Sequence, residues 1–324
     1  MGDITVPAAS GVANETLLVD TIAADGLGPA LVVRIHGGDH LYLDSDLAVH
    51  VRMYRLVGEE GTVPVPAIHA YESDPAILGA PFMVMQRVPG LVPPDRPNFN
   101  QSGWLHDLPA IAQEGIWREA VSVMARLHAI DPARYSLLAR PADGVSGLEQ
   151  ALTYWERYLH WCGVARHPLL IDAAAWLRHH LPSDATTGLS WGDARLQNML
   201  FEGTRCTAVL DWDMTSLAGA EADLAWWAIA DHKYTASIGR PRLPGIGSPA
   251  ATIRLWEETS GRTARNMDWQ LVFAAFRQAA ISTRLSILRG SSNPEPSIGL
   301  QWISCLLRLP LGAPITQPFA GLEA

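Results

Sequence analysis

Cysteine is scarce in this chain of 324 residues. The three cysteines, Cys162, Cys206 and Cys305, are odd in number and widely spaced, and no two of them form a Cys-x-x-Cys pair. This pattern excludes a disulfide framework and a cysteine-based metal knuckle. Buried, reduced thiols are the simpler interpretation.

Lysine is almost absent, because Lys233 is the single lysine and the other 23 basic side chains are arginines. A Walker A loop needs a lysine after its glycines, so this class of nucleotide site is excluded. The sequence also has no Gly-x-Ser-x-Gly nucleophile elbow. The base composition of a GC-rich genome explains the arginine bias more simply than function does.

Long apolar runs are missing as well, since no uninterrupted stretch reaches the roughly 18 to 20 residues of a membrane helix. Residues 1–6 lack the basic start and apolar core of a secretory signal. We therefore expect a cytoplasmic protein without a membrane span. With a net charge of −9 and no basic stretch, nucleic acid is not an expected partner. The oligomeric state is left open.

The composition that is present, with 48% apolar and 18% charged residues, is that of a folded protein with a large core. Residues 1–88 contain β-rich runs at 15–23, 30–35 and 81–88 and helical spacing of apolar residues at 44–58. This region is expected to form about five strands and one helix.

After a proline-rich stretch at residues 92–97 the pattern becomes helical. Helices are predicted at 114–130, 147–161, 169–181 and 269–289, with short strands at 189–191, 199–201 and 206–210. The Gly/Pro-rich segment 238–250 is a candidate mobile loop. Together the two regions predict an α+β protein with a small β-rich part and a larger, mostly α-helical part.

The segment with the clearest chemistry places Asp193 and Asn198 five residues apart on a loop, with Asp211 at the end of the next apolar strand. This pattern is typical of phosphoryl transfer from Mg-ATP. The Asp193 carboxylate would accept the proton of the acceptor hydroxyl. The oxygens of Asn198 and Asp211 would bind Mg²⁺, which needs few protein ligands beside phosphate and water.

Other polar residues near this pattern are candidates for supporting roles. Arg195 could neutralise charge on the transferred phosphoryl group. Asp213 is counted with the candidate metal residues, either as a ligand or behind one. Asp223, in Glu221-Ala-Asp-Leu-Ala-Trp, could brace the loop, cap a helix or contact a ligand. A lone Asp-x4-Asn arises by chance, but the flanking strands and this helix start favour a functional site.

The segments Trp191-Gly-Asp-Ala-Arg-Leu-Gln-Asn-Met-Leu-Phe and Val209-Leu-Asp-Trp-Asp resemble the catalytic loop and metal-binding aspartate of the aminoglycoside phosphotransferase and choline kinase-like family. The resemblance covers roughly residues 10–230 and is strongest to the branch related to acyl-CoA dehydrogenase fusions. It implies a two-lobed protein-kinase-like fold. A nucleotide-binding lobe at 1–88 and a catalytic and acceptor-binding lobe at 89–324 are expected, with ATP and Mg²⁺ as cofactors.

The same resemblance implies where the nucleotide would bind. Asn14 belongs to the hairpin that covers the nucleotide, and Arg34 occupies the position of the usual phosphate-binding lysine. Main-chain groups of the strand around Met85, Gln86 and Val88 would bind adenine. The Met85 side chain itself is more simply a core residue.

The sequence departs from the family at three positions. Trp191 replaces the usual histidine, Arg34 replaces the usual lysine, and His50 stands where a glutamate usually orients that lysine. Asp44, Asp46 and Glu59 are the candidates for the missing carboxylate. If none of them orients Arg34, a catalytically weak nucleotide-binding or sensor module is the alternative function.

The region 213–324, expected to form most of the acceptor pocket, carries 9 acids and 10 bases. A polycationic aminoglycoside would call for a cluster of carboxylates, so an aminoglycoside-modifying kinase is only a further alternative. Aromatic and arginine side chains favour a small, largely apolar or hydroxyacyl-type hydroxyl acceptor, with an anionic end as an option. They are Trp226, Trp227, Trp256, Trp269, Phe273, Phe276 and Trp302, with Arg240, Arg242, Arg277, Arg284 and Arg289. Packing in a helical core is an equally good explanation of the aromatic residues.

Overall fold

The N-terminal part of the chain forms a five-stranded antiparallel sheet with one helix. The computed structural model describes residues 3–7, 14–23, 26–37, 41–163, 167–185, 187–290 and 297–309. The sheet has the order β1-β2-β5-β7-β6, and β3 pairs with β4 in a separate hairpin. The strands are β1 (Ile4–Thr5), β2 (Asn14–Val19), β3 (Ile22–Ala23), β4 (Gly26–Leu27), β5 (Leu31–His36), β6 (Ile68–Glu72) and β7 (Phe82–Gln86).

Helix α1 (Leu47–Glu60) follows the third strand of this sheet and has well-defined ends. The Asp46 side chain accepts a hydrogen bond from the Ala48 amide at the N-terminus, at 2.8 Å. The predicted stop at Gly58 was two residues early, because Gly61, with φ 66°, is the glycine that ends the helix. The helix buries one apolar face against the sheet and the second part of the chain.

The second part of the chain is mostly helical, as predicted. Its helices are α2 (Ala110–His128), α3 (Gly147–Trp161), α4 (Pro168–His179), α5 (Ala220–Tyr234), α6 (Pro249–Ser260), α7 (Met267–Leu288) and α8 (Ile298–Leu307). A single hairpin, β8 (Met199–Glu202) and β9 (Arg205–Val209), interrupts the helices. The sequence patterns did not predict α6 and α8.

One expectation for this part was wrong, and the mobility expected of the Gly/Pro-rich segment 238–250 stays a prediction. Residues 189–191 form no strand, and only isolated bridges, such as Ser190 to Ser216, connect this segment to its neighbour. The Gly/Pro-rich segment 238–250 packs onto α2 instead of projecting from the surface. Leu243 and Ile246 are buried, and the Gly245 amide donates to the Gln113 side chain at 3.1 Å.

Helix α7 runs through the core of the helical part, where it packs against α5 and α8. Among the described helices it alone is long and apolar enough, by length and composition, to cross a membrane. However, 56% of its most apolar stretch is buried inside the protein. This burial is what a core helix of a folded protein shows.

Two glycines in helices test how closely these elements pack. A Cβ atom on Gly299 of α8 would lie 2.3 Å from the Ala279 amide nitrogen of α7, whereas one on Gly58 of α1 would meet only a Val65 methyl group at 3.5 Å. We expect Gly299→Ala to lower the free energy of unfolding by about 1–3 kcal/mol through overpacking. Gly58→Ala should raise it by up to about 1 kcal/mol, because alanine favours a helix. Urea unfolding of both variants checks this, and equal effects would contradict the packing.

Candidate active site

The structure brings together the aspartates that the sequence singled out. Asp193, Asp211 and Asp213 line one cleft of about 470 Å³, and Arg34 and Arg195 line it with them. Arg34 comes from β5, Asp193 and Arg195 from the loop before β8, and Asp211 and Asp213 from the turn after β9. The cleft therefore lies where the sheet meets the helical part of the chain.

Three donors fix the carboxylate of Asp193. Its Oδ2 accepts from the Asn198 side-chain amide at 2.7 Å and from Arg195 Nε at 3.0 Å. Its Oδ1 accepts from the indole of Trp226 at 2.6 Å. Burial alone would raise the pKa of Asp193, but Arg195 and these hydrogen bonds hold that pKa below its ordinary value. The carboxylate is thus ionised and held in one orientation.

Asp223, which is completely buried, holds the loop that carries Asp193. Its carboxylate accepts from the backbone amides of Trp191 and Gly192 at 2.7 and 2.8 Å and from the Ser190 hydroxyl at 2.8 Å. His128 Nε2 lies 2.9 Å from the same carboxylate. The sequence left three roles open for Asp223. These contacts correspond to one of them, which is bracing the loop.

The ring of His128 is itself held from the other side. The indole of Trp256 donates to His128 Nδ1 at 3.0 Å. Because an indole N–H can only donate, Nδ1 is the acceptor and the proton lies on Nε2, facing Asp223. His128 and Trp256 lie on α2 and α6, so three helices meet behind the loop.

Trp191 is buried and also makes hydrogen bonds that connect two parts of the site. Its indole donates to the backbone carbonyls of Leu210 and Asp211, at 2.9 and 3.1 Å. Asp211 has a left-handed backbone, with φ 59°, which is uncommon for a residue other than glycine. Trp191 therefore connects the loop of Asp193 to the turn that presents Asp211.

Asp213 supplies the orienting carboxylate for Arg34 that sequence reasoning did not find. Arg34 donates to its Oδ2 at 2.9 Å, Asn14 donates to the same oxygen at 3.2 Å, and His50 Nδ1 lies 3.0 Å from Oδ1. Of the three candidates offered instead, Asp44 pairs with Arg140 and Arg157, and Asp46 caps α1. In the described part of the chain, Glu59 forms no hydrogen bond or salt bridge with Arg34.

The place of Asp213 among the candidate metal residues, as a ligand or behind one, stays a prediction. Its side chain is 1% exposed, and Arg34, His50 and Asn14 surround its two oxygens. Burial lowers the pKa of His50, and Arg34 lowers it further while Asp213 opposes them. A neutral His50 and a charged Arg34 together place one positive charge beside Asp213.

Asp211 has no comparable set of partners. Burial raises its pKa to about 7, and the neighbouring charges of Asp213 and Asp193 add to that shift. The amide nitrogen of Asn198 faces Asp193, which leaves its side-chain oxygen for another contact. In the described residues no group of three or more His, Cys, Asp or Glu side chains could hold a metal by itself.

Arg195 links Asp193 to the segment between the two parts of the chain. Its NH1 donates to both oxygens of Asp95, at 2.9 and 3.1 Å, and to the Tyr234 hydroxyl at 2.9 Å. The Tyr234 hydroxyl also donates to Asp95. These contacts connect the loop of Asp193 to the segment around Asp95 and to the end of α5. A contact of Arg195 with phosphate stays a prediction.

The strand end expected to bind adenine lies outside the residues that line this cleft. Met85 is buried in the core, and the amide of Gln86 donates to the Ala67 carbonyl at 2.8 Å. The Arg87 amide is also used, by the Ala30 carbonyl at 3.0 Å. Among the described residues, the Val88 amide has no hydrogen-bond partner and remains available.

Arg277 is a buried arginine held by aromatic rings rather than a residue of the acceptor pocket. Its guanidinium carbon lies 4.5 Å from the Trp226 ring centroid and 5.4 Å from that of Phe273. NH2 donates to the Gly192 carbonyl at 2.6 Å. Burial lowers the pKa of Arg277 to about 10, so it is still charged at neutral pH.

Part of the cleft lining is apolar, although few of the aromatic and arginine residues predicted for the acceptor pocket contribute to it. Trp226 and Arg289 do line the cleft, whereas Arg242 pairs with Asp231 and Arg284 stacks on Trp161. Arg240 is exposed. The other predicted aromatic residues are core residues, namely Trp227, Trp256, Trp269, Phe273, Phe276 and Trp302. The apolar lining instead comes from Leu41, Met214, Ile229, Ala230, Ile281 and Leu285.

Sequence reasoning missed several contacts of the site. Asp95 and Tyr234 reach Arg195 from 100 and 39 residues away, and His128 reaches Asp223 from 95 residues away. No motif marks these pairs, because each partner lies on a separate element. The segment Leu-Ala-Trp after Asp223 pointed to Trp226 as part of the motif. It did not reveal that Trp226 donates a hydrogen bond to Asp193.

Comparison with protein families gives a match over most of the chain. The model described as the phosphotransferase enzyme family matches residues 5–256. Acyl-CoA dehydrogenase family member 10 of Mus musculus is 31% identical over 234 residues, which are 68% of this chain and 21% of that protein. The chain spans between about a fifth and a third of the length of the curated relatives it matches.

Solved structures show the same fold. A protein of Ralstonia eutropha JMP134, assigned provisionally as an aminoglycoside phosphotransferase, has a TM-score of 0.65 at 22% identity, covering 95% of this chain and 91% of that one. The phosphotransferase APH(4)-Ia, as a thermostable mutant in complex with AMP-PNP and hygromycin B, has a TM-score of 0.61 at 15% identity. That match covers 97% and 95% of the two chains. The two-lobed kinase-like fold is therefore confirmed.

The brace at Asp223 is tested by comparing two substitutions. Ser190→Ala removes one of its hydrogen bonds and should lower the free energy of unfolding by about 1 kcal/mol. Asp223→Asn replaces an acceptor oxygen with a donor that faces backbone amides, so we expect a loss of about 3 kcal/mol or more. Urea unfolding measures both. Equal losses would show that Asp223 does not hold the loop.

Proposed function

The chain belongs to the phosphotransferase enzyme family, and from this membership we propose that it transfers the γ-phosphate of ATP to a hydroxyl group. The acceptor is a small, largely apolar or hydroxyacyl-type molecule. The observation that carries the proposal is the cleft in which Asp193, Asp211 and Arg34 face one another. Phosphoryl transfer depends on positioning and charge, and these three side chains supply both.

Asp193 is proposed as the residue that receives the acceptor hydroxyl. Its oxygens are held by Asn198, Arg195 and Trp226, so a hydroxyl bound to it would have a fixed direction. Its lowered pKa makes it a weak base, which suits a reaction in which the proton leaves late. Asp193 would orient the hydroxyl first and take up the proton as the new bond forms.

The residues present fit a magnesium ion. Asp211 and the side-chain oxygen of Asn198 are hard oxygen ligands, and burial together with the neighbouring charge of Asp213 raises the pKa of the Asp211 carboxyl. We propose that these two residues hold the ion together with phosphate oxygens. When bound, magnesium would neutralise charge on the phosphates. Asp213 would act from behind, through Arg34.

The nucleotide is proposed to lie between residues 1–88 and 89–324, treated as the two lobes. Arg34, held by Asp213, would bind phosphate oxygens with its remaining donors. Asn14 lies beside the same carboxylate. The unpaired Val88 amide is proposed to bind adenine, near Met85 and Gln86. The AMP-PNP complex of a structural neighbour supports ATP as the donor.

The acceptor class follows from the lining of the cleft. Leu41, Ile229 and Ile281 supply apolar surface next to Asp193. The relatives named as acyl-CoA dehydrogenase family members support a hydroxyacyl group as one form of this acceptor. An aminoglycoside would need unengaged carboxylates, whereas Asp95, Asp193 and Asp213 already pair with arginines.

The alternative of a catalytically weak sensor module rested on the missing partner of Arg34. Because Asp213 orients Arg34, that reason no longer holds, and the enzyme is the better-supported function. An assay of metabolite extracts with labelled ATP, read by mass spectrometry for the gain of one phosphate, would identify the acceptor. Nucleotide binding without any transfer would instead favour the sensor module.

Asp193→Asn is the direct test of the proposed chemistry. We expect turnover to fall at least about a hundredfold, because the proton acceptor is lost. Nucleotide binding, measured by calorimetry, should change little. Asp107→Asn, at a carboxylate whose side chain is 74% exposed, serves as the control and should keep full activity. Undiminished turnover in Asp193→Asn would refute the role of Asp193.

Arg34→Met tests the nucleotide contact. We expect the Kd for ATP to rise about tenfold or more, because two charge-assisted hydrogen bonds to phosphate are lost. Arg34→Lys should recover part of the affinity, since it restores the charge without the planar fork. Arg52→Met, at an exposed position of α1, is the matched control. Unchanged ATP affinity in Arg34→Met would exclude Arg34 from the phosphate site.

A further inference from the structure

Three basic side chains line the acceptor end of the cleft without a carboxylate partner. Arg96, Lys233 and Arg289 are all among its lining residues. In the described part of the chain none of the three forms a salt bridge, and no side-chain hydrogen bond involves them. The contact given for Lys233 Nζ is with the ring of Tyr234, at 5.2 Å from the centroid.

The carboxylates of the cleft form no salt bridge with these three cations in the described structure. Asp95 and Asp193 are engaged by Arg195, and Asp213 is engaged by Arg34. Lys233 is the chain's single lysine and lies in the last turn of α5. Burial lowers its pKa, and the charges of Arg195 and Arg96 contribute. Cations therefore converge on this end of the cleft in excess of the acids available to them.

Apolar surface separates these cations from the place where the hydroxyl would react. Ile229 and Ala230 precede Lys233 on α5, and Ile281 and Leu285 precede Arg289 on α7. Trp226, which donates to Asp193, lies one turn before Ile229 and Ala230 on α5. A ligand that reaches from Asp193 to Lys233 would thus pass along apolar side chains and end among positive charges.

We propose that Arg96, Lys233 and Arg289 form a subsite for an anionic group of the acceptor, which is a carboxylate or a phosphate at the far end of an apolar hydroxy compound. This rests on the proposed function, since it names the substrate class of the same cleft. Ammonium and guanidinium donors that lack a carboxylate partner bind an anion best. The hydroxyl lies at Asp193 and the anionic group at Lys233.

Because Lys233 is the single lysine of the chain, its reactivity reports directly on whether the subsite is occupied. Acetic anhydride acetylates the Lys233 amine and the chain's α-amine, and mass spectrometry separates the two. The probes are a medium-chain ω-hydroxyalkanoate, its methyl ester, the corresponding diol and the monophosphate of that diol. We expect the carboxylate or the phosphate to slow acetylation of Lys233 but not of the α-amine. The ester and the diol should not slow it, and comparison of the two anions identifies the source of the charge.

Two variants refine the test without touching the reporter. Arg96→Met and Arg289→Met should each weaken protection by the anionic probe about tenfold, because each removes one charged donor. Arg254→Met, at an exposed position of α6, is the matched control and should leave protection unchanged. Equal protection by ester and carboxylate, or no protection by any anion, would overturn the subsite.

The subsite and the proposed phosphotransfer can be refuted independently of each other. Phosphorylation of the neutral diol in the presence of ATP, without protection of Lys233 by anions, would refute the subsite and keep the phosphotransferase. Protection by anions while no hydroxy compound is phosphorylated would refute the proposed reaction and keep the subsite. Both measurements use the full chain.

Discussion

The site depends on keeping several carboxylates ionised in one buried cleft. Like charges this close repel one another, and burial adds to the cost of each charge. Arg34 offsets Asp213, and Arg195 offsets Asp193. Asp211 has no such partner, and its pKa rises to about 7. Among Asp193, Asp211 and Asp213, therefore, one carboxylate has no arginine of its own, and this carboxylate is the one proposed to face a divalent ion.

The loop that carries Asp193 is held through the residue before it. Asp223 accepts from the Gly192 amide, while Arg277 donates to the Gly192 carbonyl. A Cβ atom on Gly192 would lie 2.1 Å from the Met214 carbonyl oxygen, and its φ of 94° suits glycine. Two opposite charges thus hold the peptide groups on either side of the Gly192 Cα. Since Arg277 also stacks on Trp226, which donates to Asp193, the same support reaches the carboxylate by a second route.

What the sequence could predict was mostly local. The bounds of α3 and the proximity of Asp193 to Asn198 follow from spacing along one segment, and the fold follows from the resemblance around them. The pairing of Arg34 with Asp213 spans 179 residues, so it depends on how the sheet meets the helical part. A pattern in one segment cannot show such a pairing. The core aromatic residues illustrate the reverse problem, because spacing alone did not separate Trp226 in the cleft from Trp227 in the core.

The sign of the unpaired charges, rather than the fold, decides which acceptors suit the cleft. A structural neighbour with the same fold binds hygromycin B, so the architecture itself accommodates very different ligands. In this chain the acids of the cleft are used within the protein, either paired with arginines or, at Asp211, facing the proposed ion. The basic side chains of the cleft without a salt bridge in the described structure are Arg96, Lys233 at the end of α5 and Arg289 just after α7. Because an unpaired charge costs most when a ligand of the same sign displaces its water, a polycation is disfavoured and an acceptor with an anionic group is favoured.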